Sequence, residues 1–144
     1  TKVASQSVLA SFLACFGWTS STVNLKAFNH SVTKGSFASG NFEITLERRR
    51  KVGGLLVKNR LPKTNPKTNV VTKCGTRDYV VEVSEDGKAW AVAHTGWLKH
   101  SPKNSSSQFV SFKQRWAKYI RFKTTSSYSG GPGVRSVAPY APMG

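Results

Sequence analysis

The 144-residue chain has few carboxylates, since six Asp and Glu stand against 22 Lys and Arg, for a formal net charge of +16. So small a set offers no evident pair of carboxylates for acid and base catalysis. The metal-binding spacings Cys-x-x-Cys and His-Glu-x-x-His are absent, and His30, His94 and His100 are far apart in sequence. We therefore predict a non-catalytic protein with no metal and no cofactor. A small basic nuclease is a remote alternative, because folding rather than a local motif would assemble its two histidines and a lysine.

Long apolar runs are also absent, and none is long enough to cross a bilayer. The best candidate for a targeting segment is SVLASFLACFGW, residues 7–18. Ser11 and Cys15 interrupt it, which indicates a retained, packed segment rather than a signal peptide. A membrane role would therefore be peripheral.

Cysteine is scarce, with only Cys15 and Cys74. Two cysteines are consistent with one disulfide in an oxidising compartment or with two reduced thiols inside a cell. A bridge would close a loop of about 60 residues and stabilise the fold by roughly 4 kcal/mol. Acceptor patterns for N-glycosylation at Asn29 and Asn104 favour the oxidising compartment. We expect a secreted protein.

The positive charge restricts the partners, because it predicts a positive potential over much of the surface. Anionic polymers and anionic membranes are the expected ligands. Nucleic acid is expected to bind only non-specifically, since helix-turn-helix, zinc-finger and ribonucleoprotein motifs are missing. The alternative is that the cations only keep the surface soluble.

Short apolar runs separated by turns predict one all-β domain over residues 1–144. In NFEITLE, apolar and polar residues alternate as in a half-buried strand, and KVGGLLVKNR follows as a second strand after an ERRRK turn. YVVEVSEDGKAWAVA predicts a hairpin around Asp86-Gly87. QFVSF and KYIRF are two further strands, and a glycine-rich loop leads from SSYSGGPG into a last strand. Trp90 and Trp116 are expected in the core.

Residues 61–78 predict a long loop, because Pro62, Pro66 and Gly75 prevent a regular strand over most of its length. Its cations alternate with Asn and Thr, which suits a repeating anionic chain. A mobile, solvated loop is the alternative. Trp18 and Trp97 lie beside glycines in loop contexts, where an indole ring can stack on a sugar, although core packing is slightly favoured for both.

The segments NFEITLERRRKVGGLLVKNR, YVVEVSEDGKAW, WAKYIRF and GGPGVRSVAPY, in this order, resemble the discoidin family over roughly residues 40–140. VASQS near the start resembles the opening strand of that family. The resemblance implies an antiparallel jelly roll of the galactose-binding-like type. It also implies that the loops at one end make the binding surface, namely Trp18 to about Gly40, Arg60 to Arg77 and Tyr128 to Gly133. The turns ERRRK and SEDGK would lie at the far end.

The fucose-binding branch of this fold carries a histidine about 25 residues before an arginine, but that count from His30 reaches Leu55. Fucose recognition is therefore not expected. The acids follow the same division of the barrel: Glu85 and Asp86 would shape a hairpin at the far end. Glu82 would pair with cations of an adjacent strand, and Asp78 would tie the long loop to Arg77 or Arg60.

We predict a secreted carbohydrate-binding or adhesion module that recognises anionic, for example sulfated, glycans. The predicted ligand-binding residues are Trp18, His30, Arg60, Lys63, Lys67, Lys73, Arg77 and Tyr128. A secondary basic patch, or alternatively a solvated corner, is predicted at Arg48, Arg49, Arg50 and Lys51. A bridge between Cys15 and Cys74 would pin the long loop to the first one. The alternative function is a peripheral binder of phosphatidylserine membranes, in which Trp18, Phe28 and Phe37 insert.

Overall fold

The structure is a computed structural model that describes residues 25–100 and 107–142. Within these ranges the regular elements are all β-strands, and every pairing between them is antiparallel. The predicted all-β antiparallel fold is confirmed. The strands are β1 (Leu25–Ala27), β2 (His30–Ser36), β3 (Asn41–Asn59), β4 (Lys63–Thr64), β5 (Val71–Thr72), β6 (Asp78–Ser84), β7 (Ala91–Trp97), β8 (Ser107–Thr124) and β9 (Val134–Pro142).

Seven strands form one sheet, in the order β1-β9-β3-β8-β6-β7 with β2 also paired to β3, while β4 and β5 form a separate hairpin. The long strands β3 and β8 change partners along their length. The first part of β3 pairs with β2 and with the end of β8, whereas its second part pairs with β9 and the start of β8. The sheet thereby folds into two layers that share β3 and β8 and enclose one core cluster.

Alternation along the first part of β3 places Phe42, Ile44 and Leu46 in the core, as predicted. Glu43, predicted on a wet face, is nevertheless almost fully buried. Arg121 of β8 lies directly opposite and donates from Nε to its carboxylate at 3.4 Å. A buried carboxylate needs such a partner, which the local alternation of the strand does not reveal.

The predicted ERRRK turn is wrong, because β3 continues through it to Asn59. Thr45 pairs with Tyr119 and Arg50 with Ala117, so residues 46–49 stand opposite Lys118 alone. Extra residues on one strand make a bulge, which bends a strand without reversing it. The two strands predicted at QFVSF and KYIRF are likewise parts of the single strand β8.

The predicted hairpin between β6 and β7 is confirmed, and Gly87 takes the positive φ (80°) of its turn. Asp86 closes the turn by accepting the backbone N–H groups of Ala89 at 3.0 Å and Lys88 at 2.8 Å. These hydrogen bonds hold the pKa of Asp86 below its ordinary value. Glu85 pairs with Arg49 of the β3 bulge, so the bulge and the hairpin lie together at one end of the molecule.

Trp116 was expected in the core, but 45% of it is exposed on the outer side of β8. Trp90 is half-buried beneath the guanidinium of Arg121, which lies 3.8 Å from its ring centroid. Trp97, for which core packing was slightly favoured, is 63% exposed. Trp97 and Trp116 lie on strands, where register decides which face meets the core, and that register is set by distant residues.

Candidate functional site

The connections at the end of the barrel remote from the β6–β7 hairpin meet in one surface, here called the loop end: residues 37–40, 60–77, 97–100 and 125–133. Backbone hydrogen bonds join them. The Val134 N–H donates to the Phe37 carbonyl at 2.9 Å, and the Gly75 N–H donates to the Gly131 carbonyl at 2.8 Å. The Leu98 N–H donates to the Arg77 carbonyl at 2.7 Å. The loop end is therefore a connected surface rather than a set of separate loops.

Asn59, the last residue of β3, holds this surface from below and is fully buried. Its Nδ2 donates to the carbonyls of Thr76 at 2.9 Å and Lys99 at 2.8 Å, and its Oδ1 accepts from the N–H groups of Arg60 and Thr76. A Cβ on Gly75 would lie 2.2 Å from that oxygen. Any side chain at position 75 would therefore collide with the Asn59 amide, which glycine leaves room for.

A relay of hydroxyl groups ties the same surface together. Thr124 Oγ1 donates to the Gly40 carbonyl at 2.7 Å, so Thr76 Oγ1 must donate to Thr124 Oγ1, 2.8 Å away. Thr76 in turn accepts the Gly133 N–H at 3.4 Å. One chain of buried and partly buried hydrogen bonds thus links the 37–40 turn, the long segment and the glycine-rich loop.

Four aromatic rings form the floor beneath these connections. Phe37 meets Phe42 edge-on at 4.8 Å between centroids, and Phe122 lies stacked between Phe42 and Tyr79 at 5.2 Å from each. Burial raises the pKa of Tyr79 to about 12. A packed floor of this kind fixes the height and spacing of the loops above it.

Arg60 and Tyr128, both predicted to contact ligand, brace the loop end internally. Arg60 donates from NH1 to the carbonyls of Gly130 at 3.4 Å and Pro132 at 3.2 Å. The Tyr128 hydroxyl donates to the Leu98 carbonyl at 2.6 Å, and its ring packs edge-on against another aromatic ring. Both side chains are half-buried, so their direct contact with ligand stays a prediction.

The long segment predicted as a loop contains the small β4–β5 hairpin, in which Lys63 pairs with Thr72. Asn69 closes its tip with a positive φ of 59° and donates its N–H to the Asn65 carbonyl at 2.8 Å. The four remaining predicted cations of the segment are exposed on this framework: Lys63, Lys67, Lys73 and Arg77.

The loop end is strongly cationic. Its four segments contain six Lys and Arg, with Lys99 added to those predicted, and no carboxylate. Asp78 begins β6 directly behind it and accepts from the Ser126 hydroxyl and from no arginine within the described chain. The expected tie from Asp78 to Arg77 or Arg60 is therefore wrong, because the serine of the glycine-rich loop lies closer to the carboxylate.

Glu82, on β6, is paired with two cations of the neighbouring strand. Glu82 pairs with Lys123 at 3.1 Å and Arg121 at 3.3 Å, both on the adjacent β8, as predicted. Burial alone would raise the pKa of Glu82, but the hydrogen bonds and charges of Lys123 and Arg121 lower it below its ordinary value.

Trp97 is the functional candidate that sequence reasoning undervalued. It ends β7 opposite Asp78 and precedes Leu98, whose backbone bonds to Arg77. Its indole is largely exposed beside the cationic segment. The neighbouring glycine in TGWLKH had already marked Trp97 as a candidate stacking residue, but no local signal showed that its ring would be exposed at the end of β7 rather than packed in the core.

His30 lies at the opposite end of the molecule from the loop end. It pairs with Leu46 at the start of β2, next to the β3 bulge, and its Nδ1–H donates to the Phe28 carbonyl at 2.7 Å. The structure therefore does not bring it together with Arg60 or Tyr128. The predicted secondary patch, Arg48 to Lys51, also lies at that far end, as expected.

Phe28 and Phe37, which were predicted to insert into a membrane, are packed within the molecule. Phe28 is only 8% exposed and Phe37 is packed against the core, so neither ring is free to enter a membrane in this conformation. Cys74 is buried as a free thiol, 3.5 Å from the Thr72 carbonyl. Trp18 and Cys15 lie outside the described residues, as do the 7–18 segment and Asn104, so the bridge and the stacking role of Trp18 stay predictions.

The three histidines occupy three separate places. His94 lies within β7, its ring 5.9 Å from that of Tyr79, and His100 packs against Tyr128 at the loop end. Residues 25–100 and 107–142 contain no group of three metal-ligating side chains, and no helix in them is apolar and long enough to cross a bilayer.

The two layers sharing β3 and β8, with the long connections gathered at one end, define an antiparallel jelly roll of the galactose-binding-like class. No family model and no curated protein matches the sequence. The fold is nevertheless similar to solved carbohydrate-binding modules, which share it with discoidin domains.

One is CBM32-1 from a family 31 glycoside hydrolase of Clostridium perfringens, with a TM-score of 0.54 and 16% identity over 78% of this chain and 75% of that one. A second is the family 32 module of C. perfringens NanJ in complex with galactose, with a TM-score of 0.53 and 16% identity over 83% and 93% of the two chains. A third is chitosan-binding module 1 of a Paenibacillus chitosanase/glucanase, with a TM-score of 0.51 and 16% identity over 83% and 96%. At these identities the likeness establishes the fold alone.

Proposed function

We propose that this chain is a secreted, non-catalytic glycan-binding module whose loop end recognises anionic, in particular sulfated, polysaccharides. The main support is the gathering of six cationic side chains on two of the four hydrogen-bonded segments at one end of the barrel, with no carboxylate on any of the four. The similarity to solved carbohydrate-binding modules supports the broader class of ligand. The resemblance of the sequence to the discoidin family is consistent with this proposal, because discoidin domains and these carbohydrate-binding modules share one fold.

The division of labour within the loop end follows from burial. Exposed Lys63, Lys67, Lys73 and Arg77 can reach sulfate or carboxylate groups without loss of internal contacts. Arg60 and Tyr128 act mainly by holding the glycine-rich loop in place. Trp97 supplies an exposed aromatic face on which a sugar ring can stack.

Salt dependence provides the test, because binding to a polyanion releases counterions and weakens as salt rises. If three to six cations engage the polymer, the affinity should fall by roughly 40-fold to 2,000-fold between about 50 and 200 mM salt. Each lost contact should reduce the slope of log K against log salt by about 1. A glycan array of sulfated, carboxylated and neutral sugars is read at these two salt concentrations.

The variant Lys63→Gln/Lys67→Gln should lower the slope by about 2 and weaken binding to sulfated glycans. Its matched control is Lys34→Gln/Lys113→Gln, which removes the same charge from exposed positions outside the loop end. Equal weakening in both variants would mean that net charge alone attracts the glycan. A neutral sugar bound equally at both salt concentrations would overturn the anionic specificity.

A membrane surface is the second candidate, and one observation favours it. Val70 and Val71 are each 59% exposed at the tip side of the β4–β5 hairpin, between Lys67 and Lys73. An apolar tip flanked by lysines suits an anionic bilayer, with valines in the interface and ammonium groups at the headgroups. Vesicles containing phosphatidylserine should then retain a salt-resistant bound fraction that Val70→Ser/Val71→Ser abolishes. Loss of all vesicle binding at high salt excludes this mode.

A further inference from the structure

The opposite end of the barrel carries a second cationic surface, here called the bulge surface: Arg48, Arg49, Arg50 and Lys51 of β3 with Trp116 and Lys118 of β8. It arises because the β3 bulge places residues 46–49 opposite Lys118 alone. Most of these residues have no partner in β8, so the ladder between β3 and β8 is interrupted here. Four consecutive cations are thereby displayed in a small area.

Trp116 lies in the middle of this surface. The guanidinium of Arg49 lies 4.4 Å from its ring centroid and the ammonium of Lys51 lies 5.8 Å away. Contact with the face of an indole orients a cationic side chain, and here Arg49 also bonds to Glu85 whereas Lys51 has no carboxylate partner in the described chain. The exposed tryptophan therefore positions two cations, which a solvated corner would leave mobile.

Arg50 is held in the same manner by a different ring. Its guanidinium lies 3.7 Å from the ring centroid of Phe28, which is itself almost fully buried. Arg48 and Arg50, together with Asn29 and Glu47, line a hollow of about 290 Å³ beside the bulge. Glu47 is engaged there by the Asn29 amide at 2.8 Å. This volume lies at the lower limit of ligand pockets, which suits one charged sugar unit.

Counter-charges at the bulge surface are few. Among the residues that the structure describes, Arg49 pairs with Glu85, whereas Arg48, Arg50 and Lys51 have no carboxylate within ion-pair distance. Adjacent like charges repel one another, and an anion bound between them removes that repulsion. The surface is therefore prepared for an anionic group from outside the molecule.

The two cationic surfaces face away from each other. Arg77 directly precedes β6 and Glu85, the partner of Arg49, directly follows it. At about 3.3 Å per strand residue, the two ends are roughly 25 Å apart. A single Trp, already covered by Arg49, provides no row of rings for successive bases, so a sulfated polysaccharide fits this surface better than a single-stranded nucleic acid.

We propose that the bulge surface is a second binding site for sulfated polysaccharide, so that one molecule with a site at each end cross-links two polysaccharide chains. The cross-linking step rests on the proposed function of the loop end. Binding of polysaccharide at the bulge surface does not depend on what the loop end binds. Bivalency of this kind strengthens binding to a dense polysaccharide layer well beyond the affinity of either site.

Bridging between heparin-coated beads, measured by light scattering, tests the proposal together with binding to heparin on a sensor surface. The bulge variant is Arg48→Gln/Lys51→Gln, and the loop variant is Lys63→Gln/Lys67→Gln. All four side chains are exposed, and thermal unfolding reports whether each variant folds. The single variant Arg48→Gln serves if the double variant unfolds. Lys34→Gln/Lys113→Gln is the control for lost charge.

Both variants should still bind the sensor surface through the unaltered end, while both should lose bead bridging because bridging needs both ends. The control should bridge as the unaltered protein does. Bridging by the bulge variant at the unaltered level overturns the inference and leaves the loop-end proposal intact. Complete loss of binding in the bulge variant, with the loop variant unchanged, overturns the loop-end proposal and cross-linking together. A bulge variant that loses binding to single-stranded oligothymidine but still bridges heparin-coated beads as the unaltered protein does shows that the partner class is wrong.

Discussion

Replacement of Asn59 by alanine should destabilise the whole loop end. The Thr76 carbonyl would lose its amide donor in a fully buried place, which costs about 1–3 kcal/mol. The other three hydrogen bonds of the Asn59 amide involve backbone groups that have a second partner or lie near the surface. The Lys99 carbonyl, for example, also accepts from the Gln108 side chain at 3.0 Å. Each of these should cost about 0.5–1 kcal/mol. The expected total is about 2.5–6 kcal/mol, against about 5–15 kcal/mol for a typical domain.

Urea unfolding measures this change directly. With a slope of about 2 kcal/mol per molar urea, the midpoint should fall by roughly 1.2–3 M. Asn65→Ala is the matched control, because that amide is exposed and accepts only the Lys67 N–H in the described chain, at 2.9 Å. Its midpoint should move by less than about 0.5 M.

A second variant separates hydrogen bonding from shape. Asn59→Asp keeps the size of the side chain but turns an oxygen toward the carbonyls of Thr76 and Lys99, which cannot donate to it. It should be at least as unstable as Asn59→Ala at neutral pH and recover in part in acid, where a protonated carboxyl can donate once. An Asp variant as stable as the unaltered protein would refute the reasoning, because packing alone would then explain the site.

Three further predictions concern single side chains. Trp97→Ala should weaken glycan binding by about 2- to 12-fold, from the 0.5–1.5 kcal/mol of an aromatic contact, with an unchanged unfolding midpoint; a shifted midpoint would indicate a structural role. Gly130→Ala should displace the glycine-rich loop, since the added Cβ would lie 2.3 Å from Cys74 Sγ. Faster alkylation of the Cys74 thiol by iodoacetamide would report this displacement, and an unchanged rate would argue against it. The pKa of Glu82 is lowered in the folded state, so its contribution is complete above the unfolded pKa of about 4.3 and is lost as pH falls through the folded value. The stability deficit of Glu82→Gln should therefore shrink between about pH 5 and pH 3, and a constant deficit contradicts the assignment.

The local pattern predicted much of the fold. Alternation correctly placed Phe42, Ile44 and Leu46 in the core, and Asp86-Gly87 correctly identified a hairpin with positive φ. Both signals are local, since side-chain direction in a strand has a period of two and glycine, which has no Cβ, adopts positive φ most readily. The basic long segment was also identified correctly as an exposed feature of the surface.

The candidate site was predicted less completely, because its assembly depends on contacts between distant residues. Nothing local to Asn59 shows that it will bond to Thr76 and Lys99, which lie 17 and 40 positions away. Arg60 has the appearance of a free cation in sequence, yet it is occupied by carbonyls of the glycine-rich loop. His30 lies near the predicted ligand loops in sequence order, but the direction of β2 carries it to the other end.

The amino-acid sequence by itself determined the sign of the surface charge, the shortage of catalytic carboxylates and the division of the chain into alternating strands. Only the tertiary structure decided that ERRRK is a bulge within β3 and that Trp116 lies outside the core under Arg49. The physical reason is that alternation fixes which neighbours share a face, whereas the register between β3 and β8 decides where each face points. That register depends on side chains more than 60 positions apart, such as Thr45 and Tyr119, and exists only once the sheet has formed.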